Sequence, residues 1–360
     1  MTLGGAMRDI FIYYSDEQLA PFAKDGHTYF KLEAGRKMEA DRIELHSGGG
    51  AVNTAVSFSR MGFDALIITA VGQDDYAQAI RADLMQNKVD VSAIKVVSND
   101  MTGVSFIIPF PGGERTVMLY RGANRHLTPA DIPDHLLSGR AHIHISSLAG
   151  QSSQMLPHVA QKAHQAGLTI SINPGTSQVC RSIDSIIESL PYVSTLIVNS
   201  FEAGVLAKAL LAKGAITLDS ALPKEYEHYD HRLFKPLEQD GQQWSIYSML
   251  RALSLLGIST LVITDGAHGV YLAHNNEILF HPSIACTVVS TLGAGDAFAS
   301  AFVASRLRKH PLRESLVMGI LNSASVICHE DTQTGLLTQE ALEQRLIKQG
   351  LGDIQSYKIS

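Results

Sequence analysis

The chain has 360 residues, 45% of them hydrophobic, with 29 Lys and Arg against 35 Asp and Glu and a formal charge of −6; its mean hydropathy is +0.07. That length can bury one large core plus an appendage, and negative charge without a sustained basic run excludes the electrostatic footprint of a binder of nucleic acid or anionic membrane. Cys180, Cys286 and Cys328 are too scattered for a disulfide frame or a paired zinc site, and neither a secretory start nor an apolar run of about 20 residues occurs, so a soluble protein of a reducing cytoplasm is expected.

In chain order, residues 10–47 are polar and irregular. Gly48-Gly49-Gly50 follows, and Val52, Ala55, Val56 and Ser59 then recur at helical spacing, predicting a packed helix from about Asn53 to Gly62. Glycine permits the torsion that a moving lid needs, and Asn53 at a helix start could bond a polyol through its amide or simply cap the helix. Short β-branched runs at 65–71, 142–146, 168–172, 195–198 and 260–264 alternate with helical stretches, which predicts a mostly parallel sheet covered on both faces. Residues 102–108 and 116–120 break the alternation and read as a hairpin; with 10–47 they are assigned to a small β lid. The stretch 215–243, rich in Asp, Glu, His, Tyr and Lys, reads as an insertion between core elements. His142 and His144 share a strand face, and Glu227, His228, Asp230 and His231 cluster in the insertion; a polar strand end and a solvated loop explain them better than metal sites do.

Chemistry concentrates near the C-terminus. Residues 286–289 read as a short buried strand and 297–304 as a helix, so Ser290-Thr291-Leu292-Gly293-Ala294-Gly295-Asp296 joins them, with Gly293, Ala294 and Gly295 at a helix N-terminus. Unpaired amides and the positive end of the helix dipole can close around phosphate oxygens there. Asp296 directly after that cradle suits a base that accepts a proton from an attacking hydroxyl; the alternative is a tight turn with an acid favoured by the dipole. Phe298 stands where a dinucleotide fingerprint needs its third glycine, and no Walker lysine motif occurs.

The stretch from Gly48 to Gly62 and the stretch from Ser290 to Asp296 resemble, in order and spacing, the two signatures of the ribokinase-like carbohydrate kinases, the PfkB family. The resemblance implies a three-layer α/β/α fold with a mostly parallel central sheet and a small β-sheet lid: a core of residues 1–9, 48–100 and 123–360, and a lid of 10–47 and 101–122. It implies an ATP-dependent kinase acting with Mg2+ on a hydroxyl of a sugar, with a nucleoside kinase or a catalytically silent sugar or nucleotide sensor as the alternatives. Position by position, it makes Asp296 the base and Gly293, Ala294 and Gly295 the anion hole. Asp9, Gly48, Gly49 and Asn53 become acceptor-site residues, with Gly4 at the first-strand turn. Asn199 and Glu202 match an Asn-x-x-Glu motif that organises magnesium through water. Thr264, Gly266 and Asn322 fall where the family meets the nucleotide. Arg121 to Asn124 also look familial, and Arg115 could reach over the substrate. Ser290 replaces the family's usual aspartate, which leaves monovalent-cation activation open. Some relatives pair through lid strands, so a homodimer through the lid is expected.

Overall fold

Strands buried on both faces must send alternate side chains into separate apolar layers. The computed structural model of the chain describes residues 1–14, 22–24, 27–31, 34–35, 37–110, 115–217, 226, 229–239 and 242–359. In it, Leu196 and Val198 enter one apolar cluster and Ile197 the other, and Leu261 and Ile263 divide from Val262 in the same way. The central sheet runs in the order Gln355–Lys358, Glu277–His281, Val270–His274, Thr260–Thr264, Thr195–Asn199, Thr169–Asn173, His142–Ser146, Thr2–Leu3, Ile67–Gly72, Ile94–Val97. Every neighbouring pair from Thr260–Thr264 to Ile94–Val97 is parallel, and the first three strands extend that sheet antiparallel. Helices Gly50–Arg60, Ala294–Leu307 and Leu312–Val326 cover one face; Leu156–Gln165, Ser200–Ala212 and Ile246–Ser254 cover the other. This is the expected three-layer α/β/α arrangement. Among the described residues no helix is long and apolar enough to cross a membrane.

The lid is a four-stranded sheet in the order Arg42–Gly48, Met7–Tyr13, Gly103–Pro109, Arg115–Tyr120. Its second strand begins at Met7, so residues 7–9, expected in the core, belong to the lid and Asp9 is carried by it. Pleating sorts its side chains into two faces: His46, Asp9, Ser105 and Leu119 form one cross-strand row, and Leu45, Ile10, Phe106 and Met118 form a row on the opposite face.

Three local expectations are corrected. The early helix starts at Gly50, one turn before Asn53, because Asn53 N–H already bonds Gly49 C=O at 2.9 Å. Residues 286–289 form no strand; Val289 and Ser290 N–H both donate to Ile327 C=O, leaving Val288 and Val289 exposed and Cys286 and Cys328 only partly buried. The described part of the insertion is not merely solvated, since Leu233 and Phe234 are buried and Phe234 packs on Tyr247 and Tyr357. His231 lies edge-on to Phe280, whereas Glu227 and His228 lie outside the described residues. His142 bonds the hydroxyls of Thr169 and Ser171, and His144 that of Ser171, inside the sheet; burial holds both imidazoles below their ordinary pKa and hence neutral.

Candidate active site

Gly293 is the N-cap of the Ala294–Leu307 helix, with φ 76°, and a Cβ there would meet Thr332 Cβ at 2.8 Å. Both facts require glycine at the turn that aims the next amides outward. One turn into the helix, Asp296 Oδ2 accepts from Asn53 Nδ2 at 2.8 Å, and Asn53 Oδ1 accepts from Thr332 Oγ1 at 2.8 Å. The early helix thus holds the carboxylate through a buried amide whose own orientation Thr332 fixes. Burial raises the Asp296 pKa, and the Asn53 hydrogen bond opposes that rise.

The glycine triplet meets both carboxylates. A Cβ on Gly48 would collide with Asp9 Oδ2, one on Gly49 would lie 2.5 Å from Gly5 C=O, and one on Gly50 would lie 2.6 Å from Ser146 Cβ and 3.3 Å from Asp296 Oδ1. Asp9 is buried and accepts from Ser105 Oγ across the lid sheet. Burial pushes its carboxyl up to about 6; the Ser105 bond and the positive fields of His46 and Arg8 lower it, and the charge of Asp296 raises it further. Asp9, the glycines, Asn53 and Asp296 therefore surround one spot beneath the lid.

On the other side of the helix mouth, Thr264 and Gly266 line a cleft with Ala294, Gly295, Ser323 and Ala324. Asn322 does not line it. Its amide donates to Ala297 C=O at 2.8 Å and accepts from Leu337 N–H at 2.9 Å, so it is a fully buried brace and its neighbours Ser323 and Ala324 face the cleft instead. Asn199 caps the Ser200–Ala212 helix in a reciprocal box with Glu202 (2.8 and 3.0 Å), and Glu202 Oε1 accepts from Thr176 Oγ1 at 2.9 Å.

The model of the pfkB family carbohydrate kinases matches residues 23–339. The chain belongs to that family. It is 26% identical over 295 residues to an ATP-dependent ribose-1-phosphate kinase of Halopiger xanaduensis, covering 79% of this chain and 83% of that one. It is 25% identical over 323 residues to a ribokinase of Haemophilus influenzae, covering 88% and 92%. The solved ribokinase of Thermotoga maritima superposes with a TM-score of 0.73 at 19% identity, covering 96% of this chain and 98% of that one, a likeness of fold.

Four further residues of this kinase join the site, and of these only Arg115 had been marked, as a lid cation able to reach over the substrate. Thr332 orients Asn53, and Ser105 bonds Asp9. Asn173, at the end of a core strand, bonds Ile197 C=O through Nδ2 at 2.8 Å and lies with Oδ1 toward Gly295. Arg115, left outside the catalytic set, reaches from the lid to Thr291 Oγ1 in the signature loop. Only Asn173 and Arg115 carried a signal, a polar residue at a strand's C-terminal end and a cation on the lid. Thr332 and Ser105 lie 279 and 96 residues from their partners, and no local pattern encodes such contacts.

Glu202, expected to help hold magnesium, is buried and its pKa is raised by that burial. Its oxygens accept from Asn199 N–H and Thr176 Oγ1, and no group of three His, Cys, Asp or Glu among the described residues could grip an ion directly. That donor set fits a dication held through its own waters. Ser290 offers a neutral hydroxyl, turned toward Leu292 N–H at 3.3 Å, where the family has a carboxylate.

Proposed function

We propose that this kinase transfers the γ-phosphoryl group of ATP in line to a primary or anomeric hydroxyl of a sugar. The observation that carries the reading is the Asn53–Asp296 hydrogen bond. It joins the glycine-flanked early helix to the mouth of the late helix and leaves the second oxygen of the carboxylate beside Gly50, under the lid. Asp9 and Asn53 orient the alcohol. Asp296 accepts its proton as the new O–P bond forms and the bond to the ADP bridging oxygen breaks. The amides of Gly293, Ala294 and Gly295 stabilise the charge on the transferring group, each well-placed donor contributing on the order of 10²–10³ in rate. Thr264 and Gly266 border the nucleotide. Asn199 and Glu202 would hold a magnesium ion through water, and the ion would supply neutralisation of phosphate charge.

A sugar acceptor is supported because, of the candidates Phe106, Phe110 and Tyr120 for a base platform, Phe106 and Tyr120 lie on the lid face opposite Asp9, while Leu119 shares the Asp9 row and Phe11 its face. The exposed apolar row on that opposite face supports a homodimer through the lid.

Asp296→Asn is expected to fold and bind ATP while losing roughly 10²–10⁴ in turnover across a panel of sugars. Turnover near that of the wild type would remove Asp296 from the reaction.

A further inference from the structure

Where the last lid strand, Arg115–Tyr120, runs out, Arg121 turns into a pocket. Its walls are the loop after His142–Ser146, with Leu148, Ala149 and Gly150, and the Thr176–Arg181 helix. Three arginines line it, Arg121, Arg125 and Arg181, and among the described residues no Asp or Glu does. Arg125 is already paired, donating to Asp100 at 3.1 Å. The side chains of Arg121 and Arg181 have no hydrogen bond or ion pair among the described residues, and their charges oppose each other. Burial and the Arg181 charge both press the half-buried Arg121 toward its neutral form. Two like charges, one of them partly desolvated and neither compensated, form an arrangement that an anion would relieve.

The pocket adjoins the acceptor site. Leu119, two residues before Arg121, lies in the cross-strand row of Ser105 and Asp9. A Cβ added to Gly5 would lie 3.6 Å from Asn124 Oδ1 and 4.0 Å from Ser147 C=O, and one added to Gly175, which leads into the Thr176–Arg181 helix, would lie 3.0 Å from Ser147 Oγ, so the loop after His142–Ser146 runs between the two. A sugar with its hydroxyl at Asp296 and its ring at Asp9 therefore points its far end toward the arginines.

We propose that the acceptor is a phosphorylated sugar whose existing phosphate monoester is held between Arg121 and Arg181. Two forked cations match a dianion in charge and in planar geometry, as they would not match a neutral polyol. The inference rests on the kinase reading above and narrows its substrate.

The test is steady-state turnover at saturating ATP with ribose against ribose 1-phosphate and fructose against fructose 6-phosphate. In at least one pair the phosphorylated member should be favoured in kcat/KM by about 100-fold, the scale of two charge-assisted hydrogen bonds. Arg121→Gln and Arg181→Gln should each raise KM for that sugar phosphate by about tenfold with little change in kcat. Neither should lower Tm, since neither side chain has a partner to lose among the described residues. Equal kcat/KM for neutral and phosphorylated members, or variants with unaltered KM for the sugar phosphate, would overturn the proposal and leave the kinase standing. If no acceptor turns over, yet a sugar phosphate raises Tm in the wild type and not in Arg121→Gln or Arg181→Gln, the anion site stands and the kinase reading falls.

Discussion

Asp9 is buried under the lid and Asp296 is partly buried at the mouth of the late helix, and burial raises the pKa of both. For Asp9 the stability consequence has a definite sign. Its folded pKa, about 6, lies above its ordinary value of 3.8, so the stabilisation belongs to the protonated form. It is complete below pH 3.8 and is lost as pH rises through about 6. Asp9→Asn cannot ionise, so its stability relative to the wild type should climb across that window by up to about 3 kcal/mol, measured by denaturant melts at several pH values. A gap independent of pH would show that Asp9 does not titrate there. The same variant should lose acceptor affinity. At Asp296 the controllable quantity is the hydrogen bond from Asn53, which holds the carboxyl down against burial. Asn53→Ala removes that donor, so the acid limb of kcat/KM should move to higher pH than in the wild type; an unmoved limb would separate Asn53 from the base. Asp296 and Asn53 were legible in sequence because each sits in a short motif. Thr332, which sets the Asn53 amide, was not, because its role exists only after residues 279 apart have been brought together.

At the scale of elements, the loop 48–50 is the tightest junction in the molecule. Gly49 has φ 92° and no room for a Cβ beside Gly5 C=O, and Gly48 has none beside the Asp9 carboxylate. Gly49→Ala should therefore cost about 1–3 kcal/mol in unfolding free energy, from left-handed strain and steric conflict together. Gly35, with φ 82° and nothing near its Cβ, is the comparison that isolates the strain component. Equal costs for the two alanine variants would show that crowding at Gly49 contributes nothing. These glycines were readable as a special turn, and the core strands were readable because β-branched runs buried on both faces admit few other conformations. His142–Ser146 and Thr260–Thr264 have the expected bounds. The edge of the sheet was harder to read. Gln355–Lys358 is a short polar strand fixed by pairing with Glu277–His281, and residues 286–289, apolar enough to suggest a strand, have only Ile327 C=O to bond. Edge pairing depends on which neighbour is available, which composition does not record.

Over the whole molecule, the lid is tied to the core at both ends of the cleft. Arg115 reaches Thr291 on one side; on the other, Glu330 accepts from Tyr13 at 2.9 Å and from Arg42 at 2.9 Å, beside Gln333, which donates to Ser47 C=O at 2.6 Å. The segment that carries Thr332 to Asn53 thus also holds the lid. Among the described residues the lid's outer face is uncovered, with Ile43, Leu45, Phe106 and Met118 between 41% and 56% exposed on three of its four strands and buried Ile10 between them on the other. An apolar surface continuous across a sheet is a recognisable association site, and a second copy presents the same face to it about a twofold axis. Pairing there would stiffen the strand that carries Asp9 and bring acceptor binding under the control of protein concentration. Sedimentation velocity should therefore show a dimer at micromolar concentration, and Leu45→Glu with Phe106→Glu should give a folded monomer, because both side chains already face solvent. That monomer should show a higher acceptor KM than the dimer, with ATP affinity unchanged, since the cleft of Thr264 and Gly266 proposed for the nucleotide lies in the core. A wild type that sediments as a monomer at those concentrations would refute pairing through this face, and a monomeric variant with unaltered acceptor KM would uncouple the pairing from Asp9.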